Sequence, residues 1–159
     1  MDLAALRARI TEHEGRRRRV YTCTAGHPSV GVGFNLDRPD ARARLAAVEA
    51  DYDAVRAGRA DLTDEQVDRL LDVTIAEAIT GASGLVAGFA DLPDAAQAVL
   101  VDMVFNLGAA GVRKFRRMLA AVARRDWLAA AAEMESSLWF RQVGRRGRAL
   151  VADMRGLAA

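Results

Sequence analysis

The sequence predicts an α+β fold, mostly helical, with a small antiparallel sheet in an N-terminal lobe, a helical C-terminal lobe and a cleft between them. Three observations carry that expectation. Residues 16–36 alternate with a period of two around turn residues, whereas most of the remaining chain repeats every three to four. A long amphipathic stretch over about 64–80 suits a helix joining the lobes. The 159 residues are 52% hydrophobic with only three prolines, which fits a single domain able to bury a core. The expected division is one lobe over about 13–62, the other over 1–12 and 80–159, with the connecting helix between.

A first helix is expected from Leu3 to Glu14, with Leu3, Leu6, Ile10 and His13 at helical spacing and Gly15 as its stop. Val20 and Thr22 then alternate with Tyr21 and Cys23, "TAGHP" supplies a turn, and "SVGVGF" alternates again, so two or three short strands are expected. Pro39 suits the first turn of a helix reaching about Glu49. "AVRAGRAD" (54–61) breaks the pattern. "TDEQ" (63–66) matches a capping box, with Thr63 as N-cap and Gln66 reaching back, and opens the long helix. "LPD" (92–94) starts a helix hydrophobic nearly all round, ended by Gly108 and fit for the centre of the second lobe. Shorter helices follow at about 112–124 and 126–135. Ser136 or Ser137 caps another, and Gly144 precedes the last. Trp127 and Trp139 read as core.

Charge narrows the function classes only a little. The formal net charge is +2, and Lys114 is the only lysine, so arginine carries nearly all the positive charge. Its clusters, "RRRR" (16–19), Arg113 to Arg117 and "RQVGRRGR" (141–148), coat solvated faces on the bland reading and attract a polyanion on the sharper one. One cysteine excludes an internal disulfide and a cysteine-rich zinc site. His13 and His27 have no convincing metal partners, so neither metal nor other cofactor is expected. Arg7 and Arg9 interrupt the first apolar run, which therefore reads as neither signal peptide nor membrane anchor. No membrane insertion is expected, and the chain reads as cytoplasmic.

Chemistry concentrates in "EHEGRRRRVYTCTAGHPSVGVGFNL". Glu14 closes a helix, while Cys23 and Ser29 sit on the adjoining hairpin, a geometry for reactive groups facing across a groove. Gly31 and Gly33, two apart, either let a ligand approach bare backbone or mark a strand kink against a neighbour.

Glu14, eight residues, Cys23, five residues and Ser29 follow the signature of the phage-type lysozymes of the T-even kind, glycoside hydrolase family 24, which the chain resembles. The likeness continues through "DMVFNLGAAGVRKF", "RRDWLAAAAEM" and "LWFRQVGRRGRAL", in order and over nearly the whole length. The resemblance implies a lysozyme-like fold and a peptidoglycan hydrolase, a muramidase cutting the β-1,4 bond between N-acetylmuramic acid and N-acetylglucosamine. It makes Glu14 the general acid, gives Cys23 the attacking water or the developing positive charge, and has Ser29 place that water. It also sets Arg146 opposite Glu14 as an orienting partner and points to Gly31, Asn35, Phe105 and Asn106 as substrate-binding, with Phe105 open to a core role.

Cys23 stands where aspartate is common, and Ser29 where threonine is usual. Serine keeps the hydroxyl. An ordinary thiol is only about 3% ionised at pH 7, and the thiolate is the useful form, as base or nucleophile, so an upward-shifted pH optimum is expected. Position at a helix C-terminus, the negative end of the dipole, suits a carboxyl that must keep its proton.

As an endolysin the chain would accumulate in the host cytoplasm and act as a monomer on the wall after a separate membrane lesion. The alternative is a catalytically impaired peptidoglycan-binding domain that has lost chemistry at Cys23. A nucleic-acid module lacks aromatic interleaving and a reading helix, so no nucleic-acid partner is expected. Cys23 and His27, four apart across a turn, make a poor hydrolase pair.

Overall fold

Glycine and capping side chains set the punctuation of the chain, described here for residues 1–159 from a computed structural model. Helix α1 runs Leu3–Glu14 and stops because Gly15, at φ 77°, takes the left-handed conformation while its N–H still reaches Thr11 O at 2.8 Å. Strands β1 (Arg17–Thr22), β2 (Pro28–Gly31) and β3 (Phe34–Asn35) form an antiparallel sheet in the order β1-β2-β3. The alternation expected through "SVGVGF" breaks at Gly31. Gly31 and Gly33 lie at φ 67° and 65°, outside the β region, so Val32 and Gly33 turn the chain between β2 and β3.

Helix α2 covers Ala41–Ala47, shorter than expected, because Pro39 stays in the preceding turn and Glu49 adopts a positive φ of 60°. A short helix α3 (Tyr52–Arg56) follows that the sequence reading missed. Its signal was Asp51, whose side chain accepts the Ala54 N–H. Helix α4 (Asp64–Ser83) opens with the capping box: Thr63 N–H donates to Gln66 Oε1 at 2.9 Å and Gln66 N–H to Thr63 Oγ1 at 3.1 Å. A 3₁₀ turn at Phe89–Asp91 leads into α5 (Asp94–Val112), where Gly108 at φ 72°, ψ 158° interrupts the helix without ending it. Helices α6 (Arg116–Ala123), α7 (Trp127–Glu135), α8 (Leu138–Val143) and α9 (Arg145–Gly156) complete the chain. Ser137 caps α8 by accepting the Phe140 N–H.

The residues separate into two compact units, 7–75 and 1–6 with 76–159, the divisions falling inside α1 and α4. In the first unit Ile10, Val30, Leu36, Leu45, Leu62 and Val67 are fully buried, each contributing about 1.5–3 kcal/mol relative to exposure. The edge of the sheet is not left open: Leu62 N–H donates to Arg18 O, and Arg18 Nε returns a bond to Leu62 O. In the second unit α5, α7 and α9 enclose Leu100, Met103, Met134, Leu150 and Met154. By length and composition α5 would also cross a bilayer, but half of that apolar window is buried here, as in a core helix. Both tryptophans are buried, as expected; Trp139 also meets Phe115 edge-on at 6.0 Å.

Candidate active site

Glu14 is the last residue of α1, and its carboxyl lies directly over Gly33. A Cβ on Gly33 would come within 2.6 Å of Glu14 Oε2, so only glycine leaves room for the acid at that place. Glu14 is half-buried. The turn at Gly33 and the end of α1 are thus matched to each other.

The hairpin presents the other two groups. Ser29 lies on the central strand, Cα-paired with Tyr21 on β1 and with Asn35 on β3, so these three side chains form a row on one face of the sheet. Cys23 sits just past β1, its N–H donating to His27 O at 2.9 Å and its carbonyl accepting from Gly26 N–H at 2.8 Å. That tight loop turns the sulfur back toward the row. Ser29 is 2% exposed, and its hydroxyl is hydrogen-bonded to the Cys23 sulfur, its contact with His27 O being longer at 3.4 Å. A hydroxyl has one proton to give, and the sulfur receives it.

The thiol's ionisation follows from that setting. Burial is the largest single influence and pushes the Cys23 thiol up. It is outweighed by hydrogen bonds to the sulfur from the His27 and Ala25 backbone, the Ser29 hydroxyl and the Gly26 backbone, which together hold the thiol below its ordinary value. The thiolate is therefore more populated near neutral pH than the residue type alone implied. Beneath the loop, His27 Nδ1 lies 3.0 Å from Asp37 Oδ2, and Arg56 Nη2 donates to Asp37 Oδ1 at 2.7 Å. Tyr52 and Arg56 both donate to Leu36 O, fixing the segment after β3.

The remaining expected residues fall into two groups. Gly31 is buried, and a Cβ there would face Val67 and Leu70 of α4, which favours the packing alternative for this glycine. Asn35 accepts the Asp37 N–H at 2.7 Å and so holds the turn after β3. Phe105, Asn106 and Arg146 belong to the second unit. Phe105 is half-buried, and Asn106 Oδ1 accepts the Trp139 indole N–H at 2.9 Å. Arg146 is 7% exposed and donates from Nε to Asp102 Oδ1 at 2.7 Å, an acidic partner the sequence reading did not single out. The arginine run is mostly engaged within its own unit. Arg16 pairs with Asp64 and Asp68, Arg19 with Asp61, and Arg17 stacks 4.9 Å over Tyr21. That pairing leaves the run less positive than its composition.

Residues 11–155 match the phage lysozyme family. The chain belongs to that family. Relatives are distant but extend over most of this chain. The pre-baseplate central spike protein Gp5 of Enterobacteria phage T4 is 28% identical over 155 residues, 92% of this chain and 27% of that protein, so this chain spans about a quarter of that relative's length. The probable T4-type lysozymes 2 and 1 of Dictyostelium discoideum are each 23% identical over 158 residues, 94% of this chain and 93% of theirs. The α+β fold agrees with a phage lysozyme, and family membership supports a lysozyme-type glycosidase acting on peptidoglycan.

Proposed function

We propose that this phage lysozyme is a muramidase, cutting the β-1,4 bond between N-acetylmuramic acid and N-acetylglucosamine in the manner of an endolysin. The observation that carries the reading is the meeting, within one unit of a family member, of Glu14 over Gly33 and of Cys23 hydrogen-bonded to Ser29. Glu14 gives its proton to the glycosidic oxygen as that bond breaks. A water adds its oxygen to the anomeric carbon and loses its proton to the Cys23 thiolate, so one water is consumed and the two groups exchange their protonation states. Ser29 supports the thiolate through its hydroxyl.

Clearing of outer-membrane-stripped bacterial walls tests this directly. The parent is expected to clear them. Glu14→Gln should lose at least about a hundredfold in rate, the usual worth of a general acid, while keeping its unfolding midpoint. Walls bound but not cleared by the parent would instead favour an impaired binding domain, and undiminished clearing by Glu14→Gln would remove Glu14 from the chemistry.

A further inference from the structure

Tyr21 is the one member of the cross-strand row that the proposed chemistry leaves unused. It stands directly opposite Ser29 in register, two residues before Cys23 and therefore on the same side of the strand. It is half-buried, with the Arg17 guanidinium stacked on its ring. Gly33, which carries the Glu14 carboxyl over its Cα, also directs its backbone amide at the Tyr21 phenol. One glycine therefore brings the phenol oxygen and the Glu14 carboxyl to the same spot.

We propose that Tyr21 is a positioning residue of this site, its phenol hydroxyl supplying the polar surroundings that hold Glu14 and ionised Cys23 beside each other. Charge supports the geometry. Burial, then the Glu14 carboxylate, push the phenol above its ordinary value; Arg17 opposes them, the Cys23 sulfur adds to the rise, and the Gly33 amide opposes it. The phenol therefore stays neutral wherever the thiol titrates, and a neutral hydroxyl beside two anion-forming groups is a donor. Arg16, Arg18, Arg19, Asp61 and Asp64 share the groove that Tyr21 lines, and Arg16 and Arg19 are already paired with those aspartates. Ser29 and the His27 loop complete the groups that face the sulfur.

Tyr21→Phe keeps the ring and the Arg17 stack and removes only the hydroxyl. The inference rests on the muramidase reading for its importance, but its first readout does not need activity. The rate of iodoacetamide alkylation of Cys23 is followed against pH in the parent and in Tyr21→Phe. Loss of the hydroxyl makes the surroundings of the sulfur more apolar, so the midpoint is expected to rise by about half a pH unit. In wall clearing, the maximal rate is expected to fall about tenfold with the half-saturating wall concentration changed less, the effect of one lost hydrogen bond. A Tyr21→Phe midpoint equal to the parent's overturns the proposal, even where Tyr21→Leu loses activity through packing. A shifted midpoint in a parent that clears no walls upholds the arrangement and defeats the muramidase reading instead.

Discussion

At Gly33 the chain lacks a side chain for two separable reasons. Its φ of 65° costs an L residue about 1–2 kcal/mol, and any Cβ would displace the Glu14 carboxyl. Gly33→Ala should therefore lower stability by about that amount in urea unfolding and reduce wall clearing far more than the stability loss explains. Equal, small losses in both would mean that Glu14 moves aside harmlessly. At Cys23 the outcome is set by ionisation. Burial raises the thiol, the His27, Ala25, Ser29 and Gly26 bonds more than offset it, and activity should climb with pH through a value below the ordinary thiol's ~8.5. The optimum is displaced upward relative to a carboxylate, yet less than a bare thiol would displace it. Cys23→Asp should move the rising limb several pH units toward acid in a pH–rate profile. A limb that stays put would show that another group limits the rate.

Helices α5 and α9 are tied by Asp102, fully buried, and Arg146. Removing one member of such a pair strands a charge in apolar surroundings. Asp102→Ala should cost about 3–5 kcal/mol in urea unfolding, while Asp102→Leu with Arg146→Met should recover most of it. If the recovered protein still fails to clear walls, Arg146 also orients the acid, as the family resemblance implies. At this scale much of the structure was legible. The Thr63–Gln66 box and the Ser137 cap act locally, so spacing reveals them. α3 escaped because one turn of helix shows too little periodicity, leaving only Asp51 as a sign. Gly108 read as a terminus because glycine marks a left-handed φ without saying whether the helix resumes. Glu14, Cys23 and Ser29 stood out through a known spacing. Asp102 and Tyr21 did not, since an aspartate in an apolar helix and a tyrosine in a strand owe their significance to partners distant in sequence.

Over the whole molecule, stability against acid should follow the arginine–aspartate pairs. Asp37 is held below the usual carboxylate range by Arg56 and His27, Asp40 by Arg38 and Arg44, Asp53 by Arg42, and Asp68 by Arg16 and Arg7. Each folded value lies below the unfolded one, so the contribution is complete above about pH 4 and is lost as pH falls through the lowered values. These pairs are solvent-exposed, so each adds little and salt weakens them. Unfolding midpoints should be level from pH 5 to 8, drop below pH 4, and drop less steeply in 1 M salt, where the pairs count for less. A steep fall between pH 5 and 7 would point to a buried histidine instead.

The same near-absence of lysine has a consequence at the opposite end of the scale. A guanidinium keeps its proton in strong alkali, and Arg16, Arg42 and Arg56 are pushed higher still, Arg16 first by its bond to Asp68. Ammonium-based bridges would start to dissolve near pH 10, whereas these endure. The scaffold thus tolerates the basic conditions in which a sulfur-dependent reaction runs best, making an alkaliphilic habit a natural outcome of its cation choice.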